Sequence, residues 1–278
     1  MKILVTGGAG FIGKAVCEEL RARFMQPIVF DGDADVRDAK AVERAMRDVQ
    51  GVINLAGVLG TAETIGSEYH AAEVNILGAM NVMDAAKHIP MVQIATGHEG
   101  QPNPYAITKK CITDLALSRA QWTGQEITVV RAYHAYGPGQ KMYPPHGKSG
   151  VRKIIPSFVA RALTGMPIEI NGDGLQQIDL VYVDEVAMVL VNALNSNYGK
   201  VIEAGTGTPT TVIDAAKTVI SACGSKSVIE HVKMRSGEPE GTTVVATDAM
   251  CPHSWPYKLS ETIQWYRDQI AYGKAAVA

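Results

Sequence analysis

The chain has 278 residues, 46% hydrophobic and 19% charged, with 26 basic and 28 acidic side chains and a formal net charge of −2. This is the composition of a globular domain, which excludes disordered and fibrous classes, and the missing basic excess excludes nucleic acid and anionic membrane as expected partners. The cysteines at 17, 111, 223 and 251 form no CxxC pair, so no metal site is expected, and free thiols in a reducing cytoplasm are the reading.

Ile3-Leu4-Val5 is a short apolar run ending in Thr-Gly-Gly, as a strand buried on both faces of a parallel sheet would be. The run is too short for a signal peptide, and no window approaches the ~18 apolar residues of a spanning helix. Helical spacing follows over 11–23, a strand over 28–30, a helix over 39–48 and a strand over 51–55. One long helix is predicted over 67–88, then a strand over 92–95, a helix over 104–122 and a strand over 127–132. Strands alternating with helices across short turns mean right-handed crossovers and a parallel sheet covered on both faces. After Tyr136 the rhythm breaks into a loop rich in Gly, Pro and basic residues, 137–153. Loops of that length inside a compact domain are usually functional. Residues 179–183 and the helix after them are expected to rejoin the sheet. The fold class is α/β: a Rossmann-type doubly wound parallel sheet with a smaller C-terminal α/β substrate lobe. The predicted boundaries are 1–135 plus 179–200 for the sheet domain, and 136–178 plus 201–278 for the lobe.

Glycines at 7, 10 and 13 lie between the first strand and the first helix. That context turns a weak pattern into a dinucleotide site. The turn needs dihedrals that Gly adopts cheaply, the pyrophosphate must approach a backbone without Cβ atoms, and the helix N-terminus offers free N–H groups. Phe11 and Ile12 belong to the same turn. Asp31 ends the second strand, where a carboxylate accepts ribose hydroxyls and repels a 2′-phosphate, which favours NAD over NADP. Asp35 and Val36 are placed to meet the adenine. Tyr105 and Lys109 open a helix four residues apart, so phenol and ammonium share a face. A cation there is expected to lower the tyrosine pKa and make Tyr105 a proton shuttle, with Lys109 free to hold a ribose hydroxyl.

The ordered set TGGAGFIG (6–13), DVRD (35–38), NLAG (54–57), VNILGAMNVMDAA (74–86), YAITK (105–109), RAYHAYGPGQ (131–140) and INGDGLQQIDLVYVDEVA (170–187) covers almost the whole chain. It resembles the extended short-chain dehydrogenase/reductases, the NAD-dependent nucleotide-sugar epimerase/dehydratase family. The resemblance implies that Thr96 is the third catalytic residue, hydrogen-bonded to the substrate oxygen, and that Leu55, Ala56 and Gly57 line the cofactor cleft. It also implies that Asn75 steadies nearby backbone and that Tyr133 lies beside the nicotinamide. The implied reaction is oxidation of a sugar hydroxyl to a transient ketone followed by its reduction on the other face. A homodimer through the 67–88 and 104–122 helices is expected, with Ala71, Ala72 and Gly78 permitting close approach.

Four positions depart from the family pattern. The resemblance implies an acidic pair or a Ser-Glu directly after the catalytic Thr in dehydratases; here Gly97-His98 follows, with Glu99 one step later, so elimination of water loses its usual groups, although His98 or Glu99 could substitute. His134 replaces an Asn that contacts substrate in relatives, and Ile178 replaces an Arg that clamps the diphosphate. Lys141, Lys148, Arg152, Lys153 and Arg235 are candidates to compensate, with Gln176 also facing substrate. The favoured reading is a nucleotide-sugar epimerase, most simply a 4-epimerase. A net oxidoreductase or dehydratase on another sugar or a non-nucleotide substrate, and a silent NAD-binding regulatory protein, stay open.

Overall fold

The computed structural model describes residues 1–195 and 198–275. In chain order the first half runs β1 (Lys2–Thr6), α1 (Phe11–Ala22), β2 (Gln26–Phe30), α2 (Ala39–Ala45), β3 (Gly51–Asn54), α3 (Glu68–Ala72), α4 (Ala79–Ala85), β4 (Met91–Thr96), α5 (Pro104–Thr123) and β5 (Ile127–Ala132). The second half runs β6 (His134–Tyr136), α6 (Ile154–Thr164), β7 (Ile168–Asn171), β8 (Gln177–Ile178), β9 (Leu180–Tyr182), α7 (Val183–Asn192) and β10 (Val201–Ala204). It ends with β11 (Thr210–Thr211), α8 (Val212–Cys223), β12 (Ile229–Val232), β13 (Thr243–Val244) and α9 (Leu259–Ala275).

Six strands form one parallel sheet in the order β10-β5-β4-β3-β1-β2. Side chains alternate across it, so its inner strands supply two cores. Ile3, Val5, Ile53, Val92 and Val130 pack with Val16 and Leu20 of α1 and Val186 and Leu190 of α7. Leu4, Val52, Met91 and Val129 face the other way, onto Val42, Val82, Ile112 and Ala116 of α2, α4 and α5. A third core, with Phe158, Ile168, Ile170, Leu180, Val219 and Tyr266, belongs to the second half. The strand order reverses direction between β1 and β3, and in open α/β sheets that reversal opens a crevice at the carboxyl ends of the strands.

The structure revises three sequence expectations. The predicted 67–88 helix is helical, but a π turn over Glu73–Gly78 separates α3 from α4. Single π turns of this kind concentrate at functional sites. Residues 179–183 do not rejoin the main sheet, because β9 pairs with β6 in a separate two-stranded sheet. In its place β10 pairs with β5, so the sheet takes its last strand from beyond residue 200. The small residues of the 67–88 segment serve the interior: Ala71 is fully buried, and a Cβ on Gly78 would stand 2.5 Å from Val36 Cγ2. No helix among the described residues is long and apolar enough to cross a membrane.

The turn between β1 and α1 leaves least room. A Cβ on Gly13 would lie 2.2 Å from the Gly7 carbonyl oxygen and 2.7 Å from Gly8 Cα. Both obstacles are backbone and cannot rotate aside. Gly13→Ala is therefore expected to destabilise the chain by roughly 2–4 kcal/mol and to weaken NAD binding, checked by denaturant unfolding and NAD titration.

Candidate active site

A cleft of about 610 Å³ lies at the carboxyl ends of the central strands, between the main sheet and the third core. Of the residues predicted from the sequence to contact cofactor or substrate, all line it except Asn75, Glu99, Lys141 and Lys148.

At one end are Gly7, Gly10, Phe11, Ile12 and Gly13. Gly7 has φ +66°, and its amide donates to the Phe30 carbonyl across 2.9 Å. Gly10 precedes α1 without any side-chain cap, so the first helical N–H groups stay available to an anion. Asp31 accepts from the Ala9 amide at 2.8 Å and the Gly32 amide at 2.7 Å, which fixes its carboxylate against the turn. Asp35 is gripped by Arg37, at 2.9 Å from Nε and 2.6 Å from Nη2, and these bonds hold its carboxyl below the usual range. Val36 is buried against Gly78. An uncapped helix start, a turn with no room for Cβ atoms and a strand-end carboxylate together fit NAD.

The wall beside this end rests on a buried polar rung. The Thr6 hydroxyl donates to Asn54, Asn54 Nδ2 donates to Gln93 Oε1 at 2.7 Å, and the Leu55 and Ala56 amides both donate to Thr6 Oγ1 at 3.2 Å. Gly57 comes next. A Cβ there would meet Asn75 Oδ1 at 2.9 Å and Lys109 Nζ at 3.0 Å. Asn75 accepts from the Val58 amide at 2.8 Å and donates to Thr108 Oγ1 at 3.0 Å. It stands behind the wall, in the π turn, and ties the loop after β3 to α5.

Helix α5 starts at a strong signal. The Asn103 side chain accepts from the Ala106 amide at 2.9 Å, and Pro104 occupies the first turn. That start places Tyr105 and, one turn later, Lys109 on the cleft beside Thr96, the last residue of β4. The electrostatics differ from the sequence expectation. Burial pushes the Tyr105 phenol up, the Thr96 hydrogen bond opposes it, and Glu99 adds to the rise. Burial lowers the pKa of Lys109 to about 8 against an upward pull from Glu99, which leaves it a cation at neutral pH. In the protein alone Tyr105 is a neutral phenol.

Glu99 is not on the cleft. It accepts from Thr113 Oγ1 at 2.6 Å and pairs with Arg131 at 2.8 Å. Arg131 also pairs with Glu203 at 3.0 Å. Burial pushes Glu203 up, but bonds from the Asp248 and Thr247 amides, Tyr133 and Arg131 outweigh it and hold the carboxyl at about 2. The Tyr133 ring lines the cleft while its hydroxyl donates to Glu203 at 2.8 Å. The sequence reading did not foresee this network, nor Asp179, which is fully buried and accepts the Thr206, Gly207 and Ala246 amides. A Glu inside the apolar run Val201–Ala204 was the available signal, since charged groups are buried only when paired.

His98 does face the cleft, with its ring centroid 4.7 Å from that of His134. Burial, with the Lys153 charge, takes His98 down to about 4, and burial with His98 and Lys153 takes His134 well below the usual histidine value. His134 Nδ1 and Gln176 Oε1 are buried without hydrogen-bond partners among the described residues. Ile178, 4% exposed, makes this wall apolar where an anion clamp was missed. Of the candidate loop cations, Arg152 and Lys153 line the cleft, while Lys141 and Lys148 are exposed and stand off it. Arg152 is paired with Glu169 at 2.9 Å. Arg235 lines the cleft but pairs with Glu63 at 2.7 Å and Glu238 at 3.4 Å. Lys153 makes no ion pair among the described residues, and burial lowers its pKa.

A switch-point cleft with a cofactor turn at one end and a Tyr-Lys-Thr set at its centre defines a nicotinamide-dependent enzyme of the extended short-chain dehydrogenase/reductase class. Over residues 3–205 the chain matches the NAD dependent epimerase/dehydratase family, and it belongs to that family. NAD is the cofactor. A UDP-N-acetyl-alpha-D-glucosaminuronate decarboxylase of Bacillus cytotoxicus is 27% identical, over 96% of this chain and 98% of its own length. A dTDP-glucose 4,6-dehydratase of Streptomyces antibioticus is also 27% identical, over 98% and 94%. The crystal structure of Thermus thermophilus UDP-glucose 4-epimerase with NAD superposes with a TM-score of 0.84, at 26% identity, covering 96% of this chain and 99% of that one.

Lys109 makes a sign-defined prediction. Its folded pKa of about 8 lies below the ordinary 10.5, so between those values the unfolded chain binds the extra proton and stability rises with pH. Lys109→Met should abolish that rise without destabilising the fold at neutral pH, as read from urea unfolding at pH values on either side of the window.

Proposed function

We propose that this enzyme is a nucleotide-sugar epimerase, most simply a 4-epimerase, working through a transient ketone. The observation that carries this reading is the position of Glu99. That carboxylate is pinned to Arg131 and Thr113 and does not line the cleft, so it is not free to act as the acid that expels water from the ketone. What remains is a set suited to oxidising one hydroxyl and reducing the product.

Bound NAD supplies the hydride acceptor and, on return, the hydride donor. Thr96 and Tyr105 hold the substrate hydroxyl and exchange its proton. Lys109, at the Gly57 backbone, keeps a positive charge near the phenol and is placed to hold the cofactor ribose. His134, Lys153 and Gln176 offer unpaired polar atoms to the sugar and its phosphates. Arg235 would exchange Glu63 for a phosphate.

A second reading has its own observation. With Ile178 apolar and both Arg152 and Arg235 already ion-paired, Lys153 joins Lys109, which sits at the Gly57 backbone, as a cleft cation outside any ion pair among the described residues, and it is the one placed beside His98 and His134. That supports a substrate with a single anionic group, handled by a net oxidoreductase. We also propose a homodimer, because Tyr69, Leu77 and Ile107 are 79%, 56% and 59% exposed on α3, the π turn and α5. Sedimentation of the purified protein tests it.

Incubation with UDP-, GDP-, CDP- and dTDP-sugars, followed by NMR, should show inversion at one carbon with no accumulation of reduced nicotinamide. Steady accumulation of reduced cofactor would replace the epimerase with the oxidoreductase. Tyr105→Phe should lower turnover by about 10²–10⁴-fold while NAD affinity stays close to wild type.

A further inference from the structure

Arg235 is occupied before any ligand arrives. Its Nη2 lies 2.7 Å from Glu63 Oε1, while its Nη1 lies 3.4 Å from Glu238 Oε1 and donates to the Arg152 carbonyl at 3.4 Å. The Nη1 and Nη2 edge, with which a guanidinium forks a phosphate, is therefore taken at both ends. Glu63 reaches it from the loop between β3 and α3, 172 residues earlier in the chain. That loop is shaped to admit the carboxylate. Gly60 has φ +110°, and a Cβ on it would lie 2.4 Å from Glu63 Oε2. The facing segment is seated as closely. Thr61 Oγ1 donates to Glu238, Asn103 Nδ2 donates to the Gly237 carbonyl at 3.0 Å, and a Cβ on Gly237 would stand 3.2 Å from Ile65 Cδ1. Yet the ion pair is incomplete. Glu63 Oε2 is buried and has no hydrogen-bond partner among the described residues. A carboxylate held this way gives up solvation at one oxygen to make a single good bond with the other.

We propose that Glu63 is an internal competitor for the anion site of the cleft: it holds Arg235 in the ligand-free enzyme and yields it when a phosphate group binds. That the phosphate belongs to a nucleotide sugar rests on the function proposed above; the competition itself rests on Glu63 and Arg235. A diphosphate offers oxygens to Arg235 and Lys153 together, since both line the cleft, whereas Glu63 satisfies only one of its own oxygens on Arg235. The exchange therefore favours the ligand, and Glu63 sets how much of the binding energy is spent on displacing it. Glu238, at 3.4 Å, is the looser second counter-ion. The competitor weakens substrate and product alike, because both carry the same diphosphate. It changes occupancy and release and leaves the chemical equilibrium untouched.

The test titrates inorganic pyrophosphate into the NAD-loaded protein by calorimetry, so that the glycine turn after β1 is already filled. Glu63→Gln keeps the shape of the side chain and removes its charge, and it should bind pyrophosphate about 5-fold tighter than the wild type. The gain must run through Arg235. In an Arg235→Met background, or Arg235→Gln where the Met variant does not fold, the same substitution should change the affinity by less than about 2-fold. No gain in Glu63→Gln makes the contact a structural ion pair. An equal gain with and without Arg235 makes it the field of one removed charge. Either result overturns the proposal. UDP, GDP, CDP and dTDP titrated alongside separate it from the nucleotide-sugar reading. If none of them binds tighter than pyrophosphate while the gain through Arg235 persists, that reading falls and the internal competitor stands.

Discussion

Everything in this molecule is organised by the need to satisfy polar groups at the carboxyl edge of a sheet whose faces are dry. Strands β1, β3 and β4 end there side by side, because the strand order reverses between β1 and β3. A buried amide or hydroxyl without a partner costs a few kcal/mol at most sites, so such edges are either closed by hydrogen bonds or given to a ligand. Here both happen. The Thr6, Asn54 and Gln93 side chains bond to one another and to the amides that follow β3, which fixes the loop on which Gly57 meets Lys109. The N–H groups at the start of α1 are left for the cofactor.

The second polar network does the same for chemistry. Arg131 stands between Glu99 and Glu203, and Glu203 in turn fixes the hydroxyl of Tyr133. This engages a carboxylate and a phenol hydroxyl with one another's partners and leaves Tyr105, Thr96 and the imidazole of His98 facing the cleft. The chain thereby limits its acid/base repertoire by pairing groups away from the cleft, without substituting them. His98 and His134 in contact, both neutral, make that wall polar but uncharged.

At the substrate end the charges are largely spent on one another. Arg235 with Glu63 and Glu238, and Arg152 with Glu169, bring opposite charges together from segments far apart in sequence. Any anion that approached Arg152 or Arg235 would compete with these carboxylates. Lys153, outside those pairs and close to the two imidazoles, marks where an anionic group costs least to bind.

The sequence by itself determined the alternation of strand and helix, the glycine turn, the carboxylate at the end of β2 and the Tyr-Lys pair on one helical face. Each follows from local rules: period, φ freedom and the four-residue spacing of a helix. Only the tertiary structure decided which sheet Leu180–Tyr182 and Val201–Ala204 join, because short apolar runs fit any sheet with an open edge. It alone decided that Glu99 is pinned away while His98 faces the cleft, since adjacent residues diverge only once Arg131 and Thr113 are in place. It also reversed the expected ionisation of Tyr105. Spacing shows that a cation is near, but whether proximity or desolvation governs a buried phenol depends on how much water the fold removes, and that is a property of three-dimensional packing.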